Sequence, residues 1–415
     1  MNEDPTTKLN PDKDIQNTNK LTEAPSESTL FASPDVEQSR SNSRWILGAL
    51  AVVVFFLILG AFAKPNQPAK SPPAQAPLSD NSNLRAGAIP TNELIYSVAK
   101  KPSFNPCDGK GPDYNIERMK LDGSGRSSFG ASVNSSDDEI WPRLSPDRTR
   151  FVFYRSPVGN TGEQCRYYPQ ELWLASSDGK QVKRIFSNDD KKKVAQRLGW
   201  DQSISLQGHA DWSPDGKHIV MFLGAVPKIF GSLPDIPRGN MQLFVLNVDT
   251  AELRQVTNRR NKNNLNQMGD PSYTPDGKTI IFPGCPDNQP AGCPDPQLLS
   301  VAADATNATT TNLVYDGPGH GGNDPYVSPD GKKLSWIEPG LAGTTLYVAP
   351  FTLGQPIQPN QVKAVDTAAG YASWTADNRL VFNNIYSLFV NNLDGKQSKK
   401  ITPNNLEEAF TFPSP

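Results

Sequence analysis

The sequence predicts an all-β fold made of repeated four-stranded antiparallel units, and three observations support this prediction. A turn motif, Ser/Thr-Pro-Asp-Gly in its most regular form, recurs at residues 145–148, 213–216, 274–277, 328–331 and 375–378. Each copy precedes a short apolar run, such as residues 151–154. The chain also contains 38 prolines and 31 glycines, which favours many turns over long helices. Repeats a few tens of residues apart indicate stacked supersecondary units.

The N-terminal part of the chain differs in composition from the repeats. Residues 1–44 are polar and almost free of aromatic side chains, so we predict a disordered cytoplasmic tail. Residues 45–63 carry no charge, and a helix of this length would span about 28 Å, so we predict a transmembrane helix. The alternative is a cleaved signal peptide, because residues 61–63 read Ala-Phe-Ala. Residues 64–89 are predicted to form a Pro-rich linker.

Each repeat is predicted to contain four short strands in a fixed order. An inner strand leads into the Pro-Asp turn, and a second strand leaves it. A loop of variable length then leads to the third strand. Another tight turn joins the third strand to the fourth. The spacing between successive Pro-Asp turns falls from 68 to 47 residues, because the strands are constant and the loops are not. Four antiparallel strands per unit are typical of one blade of a β-propeller.

The two ends of the repeat region supply the parts of a sixth blade. Residues 90–96 align with residues 275–281, and the last four residues align with residues 143–146. We therefore predict a six-bladed β-propeller over residues 90–415, closed by pairing of the C-terminal strand 409–412 with the N-terminal strand 94–98. Closure would hide the sheet edges that otherwise promote aggregation.

These motifs resemble those of the TolB-like β-propeller family, whose repeats carry the same Pro-Asp-Gly turn after an aromatic residue. The resemblance covers residues 90–415 and implies the propeller fold. It also implies a propeller that binds other proteins or accompanies a separate catalytic domain. The fifth copy departs from the family pattern, because it reads Thr-Ala-Asp-Asn at residues 375–378.

All four cysteines, Cys107, Cys165, Cys285 and Cys293, fall in predicted loops between second and third strands. Their even number and paired positions favour two disulfides, Cys285–Cys293 and Cys107–Cys165. The alternative is a zinc site, which would require closer Cys-x-x-Cys or His spacing. Disulfides form outside the cytoplasm, so we expect the propeller in the periplasm or at the cell exterior.

The two rims of the predicted propeller differ. The Pro-Asp turns lie on one rim, and the long irregular connections lie on the other, where binding residues are most often found. The inner strands enter from the long-loop rim beside the central channel, and their first positions hold a set of polar and aromatic residues: Trp141, His209, Asp270, Asp324 and Tyr371. This set is a candidate channel-mouth site for a polar ligand or a cation. The interpretation that we favour is that these residues cap the strands and hydrate the channel.

One long loop carries a possible docking patch for a partner protein. Loop 224–240 places four apolar residues between prolines: Ile229, Phe230, Leu233 and Ile236. The alternative is a loop folded down onto the rim.

Several functional classes are disfavoured by the sequence. The net charge of −2 disfavours nucleic-acid binding, and the motifs of serine hydrolases, zinc proteases and P-loop enzymes are absent. We therefore predict no catalytic residue, metal or cofactor, and a monomeric propeller. Our first hypothesis is a single-pass, extracytoplasmic scaffold that binds bacterial envelope proteins. The alternative is a protein that binds or processes a small ligand or glycan at the channel mouth.

Overall fold

The computed structural model describes residues 84–100, 114–156, 170–199, 203–226, 241–259, 270–285, 296–317, 322–340, 343–384, 387–403 and 408–415. Among these residues, no helix is both long enough and apolar enough to cross a membrane. The predicted tail, the predicted span 45–63 and most of the predicted linker lie outside them. Residues 84–89, at the end of that linker, lie against the second blade, where the Ala86 amide donates to the Thr149 carbonyl at 3.2 Å.

Within the described residues, twenty-four strands form six separate four-stranded antiparallel sheets, which are the six predicted blades. From the inner strand outward, blade one contains β24 (Glu408–Ser414), β1 (Glu93–Lys100), β2 (Tyr114–Lys120) and β3 (Ser127–Ser128). Blade two contains β4 (Asp138–Leu144), β5 (Arg150–Ser156), β6 (Glu171–Ser176) and β7 (Val182–Phe186). Blade three contains β8 (Ser203–Trp212), β9 (His218–Val226), β10 (Met241–Asn247) and β11 (Leu253–Gln255).

The remaining three blades repeat the same order. Blade four contains β12 (Ser272–Tyr273), β13 (Thr279–Gly284), β14 (Gln297–Ala302) and β15 (Asn312–Tyr315). Blade five contains β16 (Asn323–Val327), β17 (Lys333–Gly340), β18 (Gly343–Pro350) and β19 (Lys363–Asp366). Blade six contains β20 (Ala372–Trp374), β21 (Leu380–Asn384), β22 (Ser387–Asn391) and β23 (Lys399–Lys400).

The ring closes as the sequence predicts, through the pairing of β24 with β1. Val98 pairs with Phe410 and Ser97 with Thr411, in antiparallel register. The last strand of the chain is therefore the inner strand of the first blade. This pairing leaves no inner strand of the described chain without a partner.

The Pro-Asp turns are held by the side-chain bonds that their composition predicts. In all five copies the Ser or Thr hydroxyl donates to the Asp carboxylate, for example from Thr274 to Asp276 at 2.6 Å. The fourth residue is left-handed in each copy, with φ of +70° at Gly277. Asn378, with φ of +63°, replaces glycine at little conformational cost, because asparagine tolerates the left-handed region.

Arg148 occupies the same left-handed position, with φ of +58°, although a long side chain is disfavoured there. Its guanidinium donates to the carbonyls of Ile89, Pro90 and Glu93 at 2.6–2.8 Å. These three bonds offset the backbone cost and fix the start of blade one to the first turn.

The hydrophobic core lies between neighbouring blades. The residues just before the turns are all buried, as period-two alternation predicts: Leu144, Trp212, Tyr273, Val327 and Trp374. The indole of Trp212 donates to the Arg143 carbonyl at 2.9 Å, and that of Trp374 donates to the Tyr326 carbonyl at 2.8 Å. In both cases the bond joins a blade to the blade before it, so the same contact recurs at two interfaces.

A helix interrupts one predicted irregular connection. The connection from β7 to β8 belongs to the rim whose long connections we expected to be irregular, but α1 covers Asn188–Leu198 within it. Ser187 and Asp190 form a reciprocal capping box, and Gly199 ends the helix in the left-handed region.

Candidate functional site

The inner strands are irregular at the level of the predicted channel mouth. Pairing registers shift between Ile140 and Arg143 in β4 and between Asn323 and Tyr326 in β16. Within these shifts Trp141 and Asp324 adopt φ of +54° and +53°. Bulges of this kind redirect side chains at functional positions. His209 lies in the equivalent part of β8, and its side chain is outside the described residues.

Asp270 and Asp324 are brought together by the fold, as their equivalent positions on neighbouring blades predict. Their carboxyl groups share a hydrogen bond, which requires one proton between them. Asp324 is only 2% exposed, and this burial raises its pKa to about 7, against the opposing effects of Arg143 and of the bond to Asp270. The pair can therefore exchange a proton near neutral pH.

Arg143 lies across the central channel and contacts residues of three other blades. It belongs to blade two, yet its guanidinium donates to the Ser373 hydroxyl of blade six at 2.6 Å. The same group lies 4.2 Å from the ring centre of Tyr326 on blade five and 3.9 Å from the Asp211 carboxylate on blade three. A side chain that reaches three other blades must lie near the propeller axis.

The inner face near Arg143 forms a second ring of residues that the sequence prediction did not single out. Its described members lie two positions before each turn: Arg143, Asp211, Ser272, Tyr326 and Ser373. Burial raises the pKa of Asp211, and Arg143 opposes this rise. The carboxylate of Asp211 also accepts from the Tyr273 amide at 2.9 Å. Each ring residue lies two positions after a channel-mouth residue, so the alternation of side chains along a strand predicts that both face the channel. The sequence therefore contained a signal for this ring.

The two aromatic residues of the predicted site are built into the blades. Trp141 packs edge-on against Tyr154, with ring centroids 5.6 Å apart, at the core between blades two and three, and it also packs against the core between blades five and six. The amide of Tyr371 donates to the Asn383 side chain at 2.7 Å. Burial raises the pKa of the Tyr371 hydroxyl, and Asp324 and Asp270 raise it further. Both aromatic residues thus support the strands around the acidic pair.

Other candidate residues lie mostly outside the described chain. The predicted partner loop with Ile229, Phe230, Leu233 and Ile236 is outside it, as are Cys107, Cys165 and Cys293. Cys285 is described and buried. Within the described ranges, no group of three or more His, Cys, Asp or Glu side chains is arranged to hold a metal ion.

Residues 191–193 are three consecutive lysines, but they do not form a free cationic patch. Lys191 is buried, and its ammonium donates to the Gln170 carbonyl. Lys192 and Lys193 pair with Asp189 and Asp190 at 2.9 and 3.2 Å within α1.

Among known proteins, this chain is similar to solved structures of low sequence identity, and three of these are described below. No protein-family model and no curated protein matches the chain. A solved structure of TolB from Acinetobacter baumannii is 17% identical over 78% of this chain and 68% of its own, with a TM-score of 0.49. A nidogen/laminin complex is 11% identical over 78% of this chain and 97% of its own, with a TM-score of 0.49.

An oligogalacturonate lyase from Vibrio parahaemolyticus is similar to a comparable degree. It is 14% identical over 79% of this chain and 84% of its own, with a TM-score of 0.42. The six closed four-stranded blades and their turn geometry confirm the expected six-bladed β-propeller fold.

Proposed function

We propose that this chain is a membrane-anchored, extracytoplasmic scaffold that binds envelope proteins through the rim carrying its long connections. The observation that carries the proposal is the difference in length between the connections that precede the second strands and those that follow them. On the turn rim, each connection from inner to second strand in blades two to six has five residues. On the opposite rim, the connections after the second strands of blades one to four have 12–14 residues.

The long connections are distributed unevenly around the ring, so the proposed partner-binding surface is restricted to some of the blades. The corresponding connections of blades five and six have only two residues each. The connections that enter and leave blade three, 187–202 and 256–271, have 16 residues each. Blade three also carries the predicted docking loop, so we place the partner surface around this blade.

The arrangement of the channel supports a scaffold better than an open ligand site. Asp270 and Asp324 bind each other, and Arg143 bridges three other blades near the axis. The contacts of Arg143 join residues of blades two, three, five and six beside the channel.

The proposal is tested by capture of partners from envelope extract with the full chain. One variant replaces Ile229, Phe230, Leu233 and Ile236 with serine. The matched control replaces four exposed lysines of the turn rim with serine: Lys217, Lys278, Lys332 and Lys396. We expect the loop variant to lose the proteins that the wild type and the control both retain. Equal capture by all three chains would contradict the proposal.

The membrane anchor and the disulfides are part of the same proposal. Residues 45–63 would span the membrane with the N-terminus in the cytoplasm, and the pairs Cys285–Cys293 and Cys107–Cys165 would form outside it. The intact mass of freshly isolated chain, measured with and without reduction, should differ by four hydrogens. Four free thiols in the isolated chain would refute the pairs and the topology drawn from them.

Ligand binding or processing at the channel mouth is the second candidate function. The observation in its favour is the acidic pair with a pKa near 7, since such pairs are frequent at functional sites. Binding of neutral and cationic sugars should then fall in the variants His209→Ala and Asp270→Ala. Binding that is absent, or that is unchanged in both variants, would exclude this function for such sugars.

A further inference from the structure

A cavity of about 390 Å³ opens on the turn rim at the seam where the ring closes. Blade one contributes Asn92, Lys120 and Asp122 to its wall, and blade six contributes Arg379, Asn392 and Lys399. These two sets are far apart in sequence and meet only because β24 pairs with β1. The cavity lies on the rim opposite the long connections, so its role is independent of the proposed partner surface.

Three cationic side chains with unused donors line this cavity. Within the described residues, the ammonium groups of Lys120 and Lys399 make no hydrogen bond or ion pair. The Nε of Arg379 is held by both oxygens of Asp377 at 2.9 and 3.0 Å, which fixes the guanidinium in place. Its two terminal nitrogens donate to no other described residue. The amides of Asn92 and Asn392 add neutral donors to the same wall.

The carboxylate of Asp122 reduces the positive charge of the cavity and affects which ligands the cavity can bind. One oxygen of Asp122 accepts from the Ser124 amide and hydroxyl at 2.9 and 2.7 Å. The other oxygen is available to accept from a hydroxyl group. Cations and amides favour an oxyanion, and this carboxylate favours a ligand that also carries hydroxyl groups.

We propose that this seam cavity binds a small hydroxylated oxyanion, such as a sugar that bears a phosphate or a carboxylate. The size of the cavity suits a single monosaccharide unit. The bound anion would contact Lys120 on blade one and both Arg379 and Lys399 on blade six. A ligand that bridges the two blades binds only the closed ring and therefore stabilises it.

Calorimetric titration of the full chain with glucose 6-phosphate and with glucuronate tests the proposal, with glucose and inorganic phosphate as comparisons. We expect binding of at least one sugar anion, weaker binding of inorganic phosphate and no binding of glucose. Preference for one of the two sugar anions would identify the anionic group. Absence of binding by both, or equal binding of glucose, would overturn the proposal.

A pair of variants locates the binding. Lys120→Gln with Lys399→Gln should weaken sugar-anion binding at least tenfold and abolish the rise in melting temperature that the ligand causes. The matched control, Lys180→Gln with Lys217→Gln, removes two exposed lysines from turns of blades two and three and should bind as the wild type does. Because the four lysines are exposed, both variants should melt at the wild-type temperature without ligand. Undiminished binding by the seam variant would refute the assignment.

Discussion

Replacing Asp324 with asparagine should make the propeller more stable at pH 8, although Asp324 is buried at the centre of the molecule. The pKa of this carboxyl is about 7 in the folded chain and about 4 in an unfolded chain. Between these values the folded protein holds a proton that the unfolded chain has released. Stability of the wild type therefore falls as the pH rises from 4 to 7 and is constant above that range.

The magnitude follows from the separation of the two pKa values. Each pKa unit corresponds to about 1.4 kcal/mol, so ionisation of Asp324 costs the folded state roughly 4 kcal/mol in full. About 3 kcal/mol of this cost develops between pH 5 and pH 8. Asparagine cannot ionise, it accepts the positive φ of this position, and its amide can donate to Asp270.

The assay is urea unfolding of the full chain, purified in a mild detergent, at pH 5, 6, 7 and 8. We expect the stability of Asp324→Asn relative to wild type to increase by roughly 3 kcal/mol across this range. Burial also raises the pKa of Glu139 to about 7. Because Glu139 titrates in both proteins, its contribution does not affect the difference in unfolding free energy between them. In the control Asp330→Asn the difference should not vary with pH, because a hydrogen bond from Ser328 lowers the pKa of that carboxyl. Parallel stability curves for Asp324→Asn and wild type would refute the reasoning.

Three further changes test the channel, the seam and the turns. Arg143→Met should cost about 3–5 kcal/mol of unfolding free energy at pH 7, and less at pH 5, because it leaves buried carboxyl groups without their cation. Gly123→Ala should cost about 3 kcal/mol or more, because φ is +91° and a Cβ there would overlap the Ile401 carbonyl. Asp276→Ala should cost about 1 kcal/mol at pH 7, through loss of the bonds from Thr274 and Lys278.

Urea unfolding also measures these three changes, and each has its own contradicting result. An Arg143→Met cost that does not depend on pH would contradict the electrostatic role of Arg143. The control for Gly123→Ala is Gly125→Ala. Gly125 also has a positive φ, of +68°, but an added Cβ there would meet no atom closer than 3.7 Å. If the two substitutions cost the same unfolding free energy, a steric effect of Ile401 would be excluded. The cost of Asp276→Ala should disappear as the pH falls below 4, because the hydrogen bond from Thr274 lowers the pKa of this carboxyl.

The fold could be predicted in detail because its determinants are local. The Ser/Thr-Pro-Asp-Gly motif specifies a tight turn, and alternation specifies which residues of the following strand are buried. Closure could be predicted as well, because the two ends of the repeat region carry complementary parts of one repeat. The helix α1 was missed although its signals are present, since Ser187, Asp190 and Gly199 are the cap residues of a short helix.

The candidate site could be predicted only in part, because its contacts join residues from different blades. Asp270 and Asp324 occupy equivalent positions on neighbouring blades, and the structure joins their carboxyl groups by a hydrogen bond. The reach of Arg143 to Ser373 could not be predicted, because it depends on the width of the channel and not on any pattern along the chain. The seam cavity likewise joins Lys120 to Lys399, and only the closed ring makes them neighbours.

Site-specific photo-crosslinking in the native membrane tests the partner surface most directly. A photoreactive residue is placed at position 233, in the long connection of blade three, or at position 278, on the turn rim. The account predicts a discrete crosslinked protein from position 233 and none from position 278. Crosslinks from position 278 alone would place the partner on the opposite rim and contradict the central claim.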